Sequence, residues 1–195
     1  MFGDQALKYV LSQCTFDTVL DIGCGMGAHT KCFQEAGKTV TTVDSNIVYK
    51  PDILGDFNTA DIKEQYDLVW CCHVLEHQQN VGSFLKKIFS VLKDGGVLAI
   101  TVPPMKPQIV GGHLTVWNAG LLAYNLILAG FDCSEAAVST YGYNVSLVVK
   151  KKKAEFKDLI MDYGDIEKLS HLFPFPIKQG VDIKLQPNTW RINNG

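Results

Sequence analysis

Short apolar runs rich in β-branched residues alternate with amphipathic stretches over most of the chain, the pattern of repeated strand and helix units on a parallel sheet. Thr18 to Ile22 is an apolar run that ends at glycines and predicts a first strand. Ala28 to Ala36 predicts a helix stopped by Gly37. Thr39 to Val43 is β-branched and closes on Asp44, and Asp52 to Leu54 predicts a short third strand before Gly55 and Asp56. Asp67 to Cys72 is continuously apolar, as a strand buried on both faces requires.

Val81 to Leu92 has helical spacing, with Phe84, Leu85, Ile88, Val91 and Leu92 in one stripe that ends at Lys93-Asp94-Gly95-Gly96. Val97 to Val102 reads as a further strand, from which Pro103-Pro104 forces the chain away. Val116 to Ala129 returns to helix. Phe131 to Thr140 and Tyr143 to Lys150 pair across a Tyr141-Gly142 turn, so one of them runs antiparallel to the other strands. The expected organisation is one domain over residues 1–153 and a C-terminal extension over 154–195, helical from Ala154 to Leu169, that packs on the domain or meets a partner.

Composition narrows the function without choosing it. The 195 residues suffice for one buried core, and 47% hydrophobic with 19% charged residues is ordinary for a globular chain. A net charge of -2 supplies no general attraction to nucleic acid or to anionic membranes, and the basic run Lys150 to Lys153 reads as a solvated strand end. The six cysteines lack the paired spacing of a zinc site or a disulfide framework. With no leader-like start and no long apolar segment, the expectation is a cytoplasmic protein without a membrane span.

The candidate chemistry begins at Val19 to Gly27, where a strand runs into a glycine-rich turn and then a helix. Glycines there let the backbone approach a ligand closely, and a helix amino end faces polar or anionic groups. Gly23, Gly25 and Ala28 also satisfy the fingerprint of dinucleotide-binding folds, with Asp44 near the position of the ribose-binding acid. Asp21 separates the readings, because a carboxylate before the first glycine suits a positively charged amino-acid moiety and repels a pyrophosphate. A dehydrogenase using the same loop stays open at this point.

Over roughly residues 15–150 the sequence resembles the class I S-adenosylmethionine-dependent methyltransferases, in Asp21 through Gly27, Asp44, Gly55-Asp56-Phe57, Asp67 to His77 and Leu92 to Val102, in that order. The resemblance implies an α/β, Rossmann-like fold: a mostly parallel seven-stranded sheet with one antiparallel strand and helices on both faces. It implies S-adenosyl-L-methionine as cofactor, with Gly23, Cys24, Gly25 and Gly27 along its methionine and ribose and Asp21 near its amine. Asp44, with Ser45 beside it, would bind the ribose, Asp56 and Phe57 would flank the adenine, and Cys72 and His73 would lie beneath the sulfonium.

His73-Val74-Leu75-Glu76-His77 is a second cluster, since one helical turn brings His73, Glu76 and His77 to neighbouring faces. It resembles the Glu-x-x-Glu-His turn of metal-dependent O-methyltransferases, with His73 in place of the first glutamate. The preferred expectation is no metal, with His73 and His77 flooring an acceptor pocket; the alternative is a divalent ion on His73, Glu76 and His77 with a further ligand such as His113. His113, after Gly111-Gly112, is the first candidate base and His77 the second, while Trp117 is a candidate lid or stacking surface. Residues 111–118 resemble methyltransferases of bacterial surface-polysaccharide biosynthesis, which implies a sugar hydroxyl as acceptor. The alternatives are a quinone, a phenol or another small metabolite, and, in a different class, a silent cofactor-binding subunit; a homodimer is a further expectation.

Overall fold

A computed structural model describes residues 1–180. Its elements run α1 (Asp4–Gln13), β1 (Thr18–Ile22), α2 (Ala28–Glu35), β2 (Thr39–Asp44), β3 (Ile53–Leu54), β4 (Tyr66–Cys72), α3 (Val81–Val91), β5 (Leu92–Val102), α4 (Ala119–Leu128), β6 (Ala137–Tyr141), β7 (Asn144–Lys150) and α5 (Asp165–Lys168). The strands form one seven-stranded sheet in the order β3-β2-β1-β4-β5-β7-β6. The β1, β2, β3, β4 and β5 pairings are parallel, and β7 runs antiparallel to both β5 and β6. This is the expected α/β architecture, with one antiparallel strand set by the Tyr141-Gly142 hairpin.

Strand alternation divides the core between the two faces of the sheet. Val19, Leu68, Trp70, Val97 and Ala99 pack with Ala6, Leu7 and Val10 of α1 and Phe33 of α2. Leu20, Ile22, Val69, Cys71, Leu98 and Ile100 point the other way, against α3 and α4. Ala154, Leu169, Leu172, Phe173 and Phe175 join this second layer, so the described part of the tail shares the core of the domain. The remainder of the expected extension, 181–195, lies outside the described residues.

Several boundaries differ from the sequence reading. Helix α1 was not anticipated; its buried stripe is only Ala6, Leu7 and Val10, and Gly3 at its N-cap makes no side-chain cap. The expected strand from Phe131 shrinks to Ala137–Tyr141, with Phe131 keeping a single bridge to Lys153. Helix α4 starts at Ala119 rather than Val116, because Asn118 caps it through Leu121 N at 2.8 Å and Trp117 bridges to Pro104 instead. The helix expected over Ala154 to Leu169 contracts to Asp165–Lys168. Asp158, Met161 and Gly164 take positive φ, and the Asp165 carboxylate accepts the Ile160 and Met161 amides in place of helical carbonyls. Among the described residues no helix is long and apolar enough to cross a membrane.

Candidate active site

A crevice of about 840 Å³ opens at the carboxyl ends of β1, β2 and β4, where ligands settle in open α/β sheets. Of the expected cofactor residues, Gly23, Asp44, Ser45, Asp56, Phe57 and His73 line it, as does His77 from the acceptor set. The turn after β1 is drawn toward β2 by Gly23 N, which donates to Val43 O at 2.7 Å. Gly23 has φ +69°, and an added Cβ there would strike Val74, so the chain needs glycine at this point. Asp44 locks the turn: Oδ2 accepts Gly25 N at 3.0 Å and Oδ1 accepts Asn46 N at 2.9 Å. Each oxygen keeps a second lone pair for a ligand hydroxyl.

Asp21 stands behind this surface. It shares the strand parity of Val19, so its side chain turns toward α2, where Oδ2 accepts Thr30 Oγ1 at 2.6 Å, and it is 1% exposed. Burial pushes its pKa up to about 6; the Thr30 hydrogen bond opposes that and the negative charge of Asp44 adds to it. Cys72 has the same parity as Leu68 and Trp70 and packs with the α1 layer, its sulfur near Gly3 rather than in the crevice. Burial, with the Glu76 and Asp21 charges, raises the Cys72 thiol to about 12, which leaves it protonated. Cys24 is buried beneath the turn, its pKa raised to about 11 by burial and then by Asp21 and Asp44.

Asp56 accepts Asn58 N at 2.9 Å and Asn58 Nδ2 at 2.8 Å, and the same amide nitrogen reaches Gln78 Oε1 at 2.9 Å, closing the crevice rim. Phe57 presents only its edge; its ring is buried against Phe84 with centroids 5.2 Å apart. Tyr49, Asn58, Val74, Gln78, Gln79 and Asn80 also line the crevice and went unread in the sequence. Their signal is position: Tyr49 ends the 3-10 turn Ile47–Tyr49 that follows β2, and Val74 and Gln78 to Asn80 flank the 3-10 turn Leu75–His77 that follows β4.

The 3-10 turn after β4 carries the second group. Glu76 is completely buried, and among the described residues neither carboxylate oxygen finds a partner in hydrogen-bond geometry. His73 Nδ1 lies 3.2 Å and His77 Nε2 3.8 Å from its Oε1. The protons can be assigned from the partners. Gly112 O can only accept, so His77 Nδ1, 2.8 Å away, carries a hydrogen, and its Nε2 faces Glu76 with a lone pair in the neutral ring and with an N–H in the cation. Asn144 Oδ1 accepts Gly3 N, so it also accepts His73 Nε2 at 3.0 Å, and the other His73 nitrogen then meets a carboxylate only if it too is protonated. The His73 pKa agrees: burial lowers it, but Glu76 and Asn144 outweigh burial and raise it overall.

His113 joins this group across the loop after β5. Its ring lies edge-on to His77 with centroids 5.1 Å apart, and one ligand atom each from Glu76, His77 and His113 falls within 4.8 Å of the others. The trio that could hold a cation therefore keeps Glu76, His77 and the further ligand His113 and leaves out the expected His73. Glu76 O accepts Leu114 N at 2.7 Å and Thr115 N at 3.3 Å, which fixes the loop to the turn. Trp117 is not brought to the site; it is 2% exposed in the core, with Nε1 donating to Thr115 Oγ1 at 2.9 Å. Gly25 and Gly27 shape the turn from outside the crevice wall.

Comparison with known proteins gives this arrangement a family context. The family described as Methyltransferase domain matches residues 5–124. A ubiquinone biosynthesis O-methyltransferase of Pseudomonas fluorescens is 30% identical over 107 residues, covering 46% of this chain and 46% of that protein. The namesake protein of Rickettsia typhi is 26% identical over 192 residues, covering 90% of this chain and 68% of its own length. The chain thus spans about half the length of the first of these relatives. A SAM-dependent methyltransferase of Archaeoglobus fulgidus superposes with a TM-score of 0.63 at 16% identity, covering 76% of this chain and 91% of that one.

Proposed function

The chain belongs to the methyltransferase-domain family, and on that premise we propose that it binds S-adenosylmethionine in the crevice and methylates a hydroxyl of a small aromatic acceptor. The observation that carries the reading is the apposition of two groups: a glycine turn locked to Asp44, and a buried Glu76 facing an open nitrogen of His77. Asp44 and Ser45 take the ribose, Asp56, Asn58 and Phe57 border the adenine, and the Gly23 turn carries the methionine. Asp21 works from behind the turn, where the approach of an ammonium group favours its ionised form.

The reaction is an in-line displacement. The acceptor oxygen bonds to the methyl carbon as the sulfur–carbon bond breaks, S-adenosylhomocysteine leaves, and the hydroxyl proton passes to the protein. His77 Nε2 is the favoured recipient over His113, because its tautomer is held open by Gly112 while protonated His73 balances Glu76. Alignment and exclusion of water supply most of the acceleration in such transfers, up to roughly 7–11 kcal/mol.

With His77 neutral and Glu76 ionised, two acceptors would face one another and require a proton or a cation between them. A carboxylate and two imidazoles are a donor set that suits a borderline divalent ion. Bound to Glu76, His77 and His113, such an ion would lower the pKa of the acceptor hydroxyl. Chelator treatment tests this directly: loss of activity restored by one divalent ion supports it, and full retention removes it.

For the acceptor, the relatives named for ubiquinone biosynthesis support a phenol or quinol over the sugar hydroxyl suggested by residues 111–118. The decisive experiment pairs calorimetry with S-adenosylmethionine and NAD against labelled-methyl transfer to catechols, hydroquinones and nucleotide sugars. Binding of the sulfonium donor with transfer to a phenolic acceptor is expected. Preference for NAD, transfer confined to sugars, or donor binding without turnover on any acceptor would each replace this reading.

A further inference from the structure

Beside the crevice lies a second, smaller hollow of about 230 Å³, formed where the chain leaves β5 and returns to α4. Pro103, Pro104, Val110, Val116 and Tyr143 give it apolar walls, and His113 and Thr115 sit at its inner end. Two contacts join it to the crevice: the His113 ring is 5.1 Å from that of His77, and the Tyr143 ring is stacked 6.0 Å from that of His73. A group lodged here has its inner edge beside Glu76 and His77.

Size restricts the occupant. An apolar cavity of about 150 Å³ is enough for benzene, so this hollow holds one substituted ring and not a disaccharide or a nucleotide. Charge restricts it further. Lys106 places Nζ 4.3 Å from the Tyr143 ring centroid, a contact that positions an ammonium without occupying its N–H donors. Among the described residues no carboxylate lines the hollow and none lies within ion-pair distance of Lys106. Elsewhere, Lys93 and Lys152 are each 2.8 Å from an aspartate oxygen. The cation at this hollow is thus available for a ligand to answer.

We propose that the hollow is the acceptor subsite, that it seats a single hydroxylated aromatic ring against Pro104 and Tyr143, and that Lys106 selects rings bearing a negatively charged substituent. This rests on the reading that the crevice holds the methyl donor. The ring's hydroxyl points inward to Glu76 and His77, and its anionic substituent points outward to the Lys106 ammonium. Lys106 is a specificity-determining residue and takes no part in proton transfer.

The experiment uses the full chain saturated with S-adenosylhomocysteine and two probes, 3,4-dihydroxyphenylacetate and 4-methylcatechol, which differ by the carboxylate. Calorimetry is expected to show roughly fivefold tighter binding of the anionic probe, the upper end for an exposed charge pair, with the ratio falling as salt is added. Lys106→Gln is expected to bring the ratio of the two affinities to about one, and Lys106→Arg to preserve it. Equal binding of the two probes by the native chain, a ratio that survives Lys106→Gln, or no binding of either probe overturns the proposal. Turnover is measured separately. A Lys106-dependent preference without methyl transfer upholds the subsite and defeats the methyltransferase reading; transfer to 4-methylcatechol with no preference does the reverse.

Discussion

The turn after β1 and the loop after β5 face one another across the site and are built on opposite plans. In the first, residues 21–27, the turn is shaped by its backbone: Gly23 N donates to Val43 O and Gly25 N to Asp44, while the Asp21 side chain is held behind it by Thr30. In the second, residues 103–118, Met105, Ile109, Leu114 and Val116 are 59%, 100%, 57% and 53% exposed, and the chemistry sits on side chains. A ligand of constant shape can be met by a prebuilt surface, whereas one that differs among enzymes is met by a loop free to vary. On this reading the donor half is written in main-chain geometry and the acceptor half in residue identity.

The contrast is open to attack from both sides. Glu76→Gln is expected to lower the methyl-transfer rate by about 10²–10³-fold while calorimetric affinity for S-adenosylmethionine holds, since general acid–base contributions are of that order. A parallel loss of donor affinity would merge the two halves. Asp21 offers the next largest effect. Its pKa, raised from 3.8 to about 6, means the folded chain binds a proton more tightly than the unfolded one, so stability falls as pH rises through that window. The ceiling is about 3 kcal/mol, and Asp21→Asn should flatten the melting temperature of the ligand-free protein between pH 4 and 6.

Asp44→Ala should weaken donor binding by roughly 30-fold, the worth of about one charge-assisted hydrogen bond, with a smaller change in acceptor KM. His113→Ala should lower the transfer rate about tenfold with little change in donor affinity, and a larger effect than His77→Ala would reverse the assignment of the proton acceptor. The raised pKa of His73 gives the smallest signal: its stabilising share is complete below about pH 6.5 and is lost as pH rises through the folded value, which His73→Gln removes.

Sequence reasoning reached the donor half far better than the acceptor half, and the cause is range. The glycine turn, Asp44 and the Tyr141-Gly142 hairpin are set by neighbours a few positions away, and short apolar or β-branched runs pointed to each strand from β1 to β7, β3 most weakly. Side-chain parity was also present in the sequence, and following Val19 to Asp21 and Trp70 to Cys72 would have placed both residues behind the crevice. His113 was offered as a further ligand beside Glu76 and His77, but the contact that favours it over His73 was not legible, because it depends on a loop pinned by Leu114 and Thr115 to a distant turn. Helix α1 escaped because it buries a narrow stripe and lacks a capping side chain. The tail misled because its composition favours helix while Asp165 satisfies local amides instead.

The bridge between Pro104 and Trp117, with Met105 N donating to Trp117 O at 2.6 Å, fastens the two ends of the acceptor loop to one another before either reaches the sheet. Such a neck makes the enclosed segment a replaceable cassette. Doubling its length would add only about 0.6 kcal/mol of closure entropy. Grafts taken from other enzymes at residues 105 and 116 should therefore exchange the substrate repertoire while the scaffold melts where it did before.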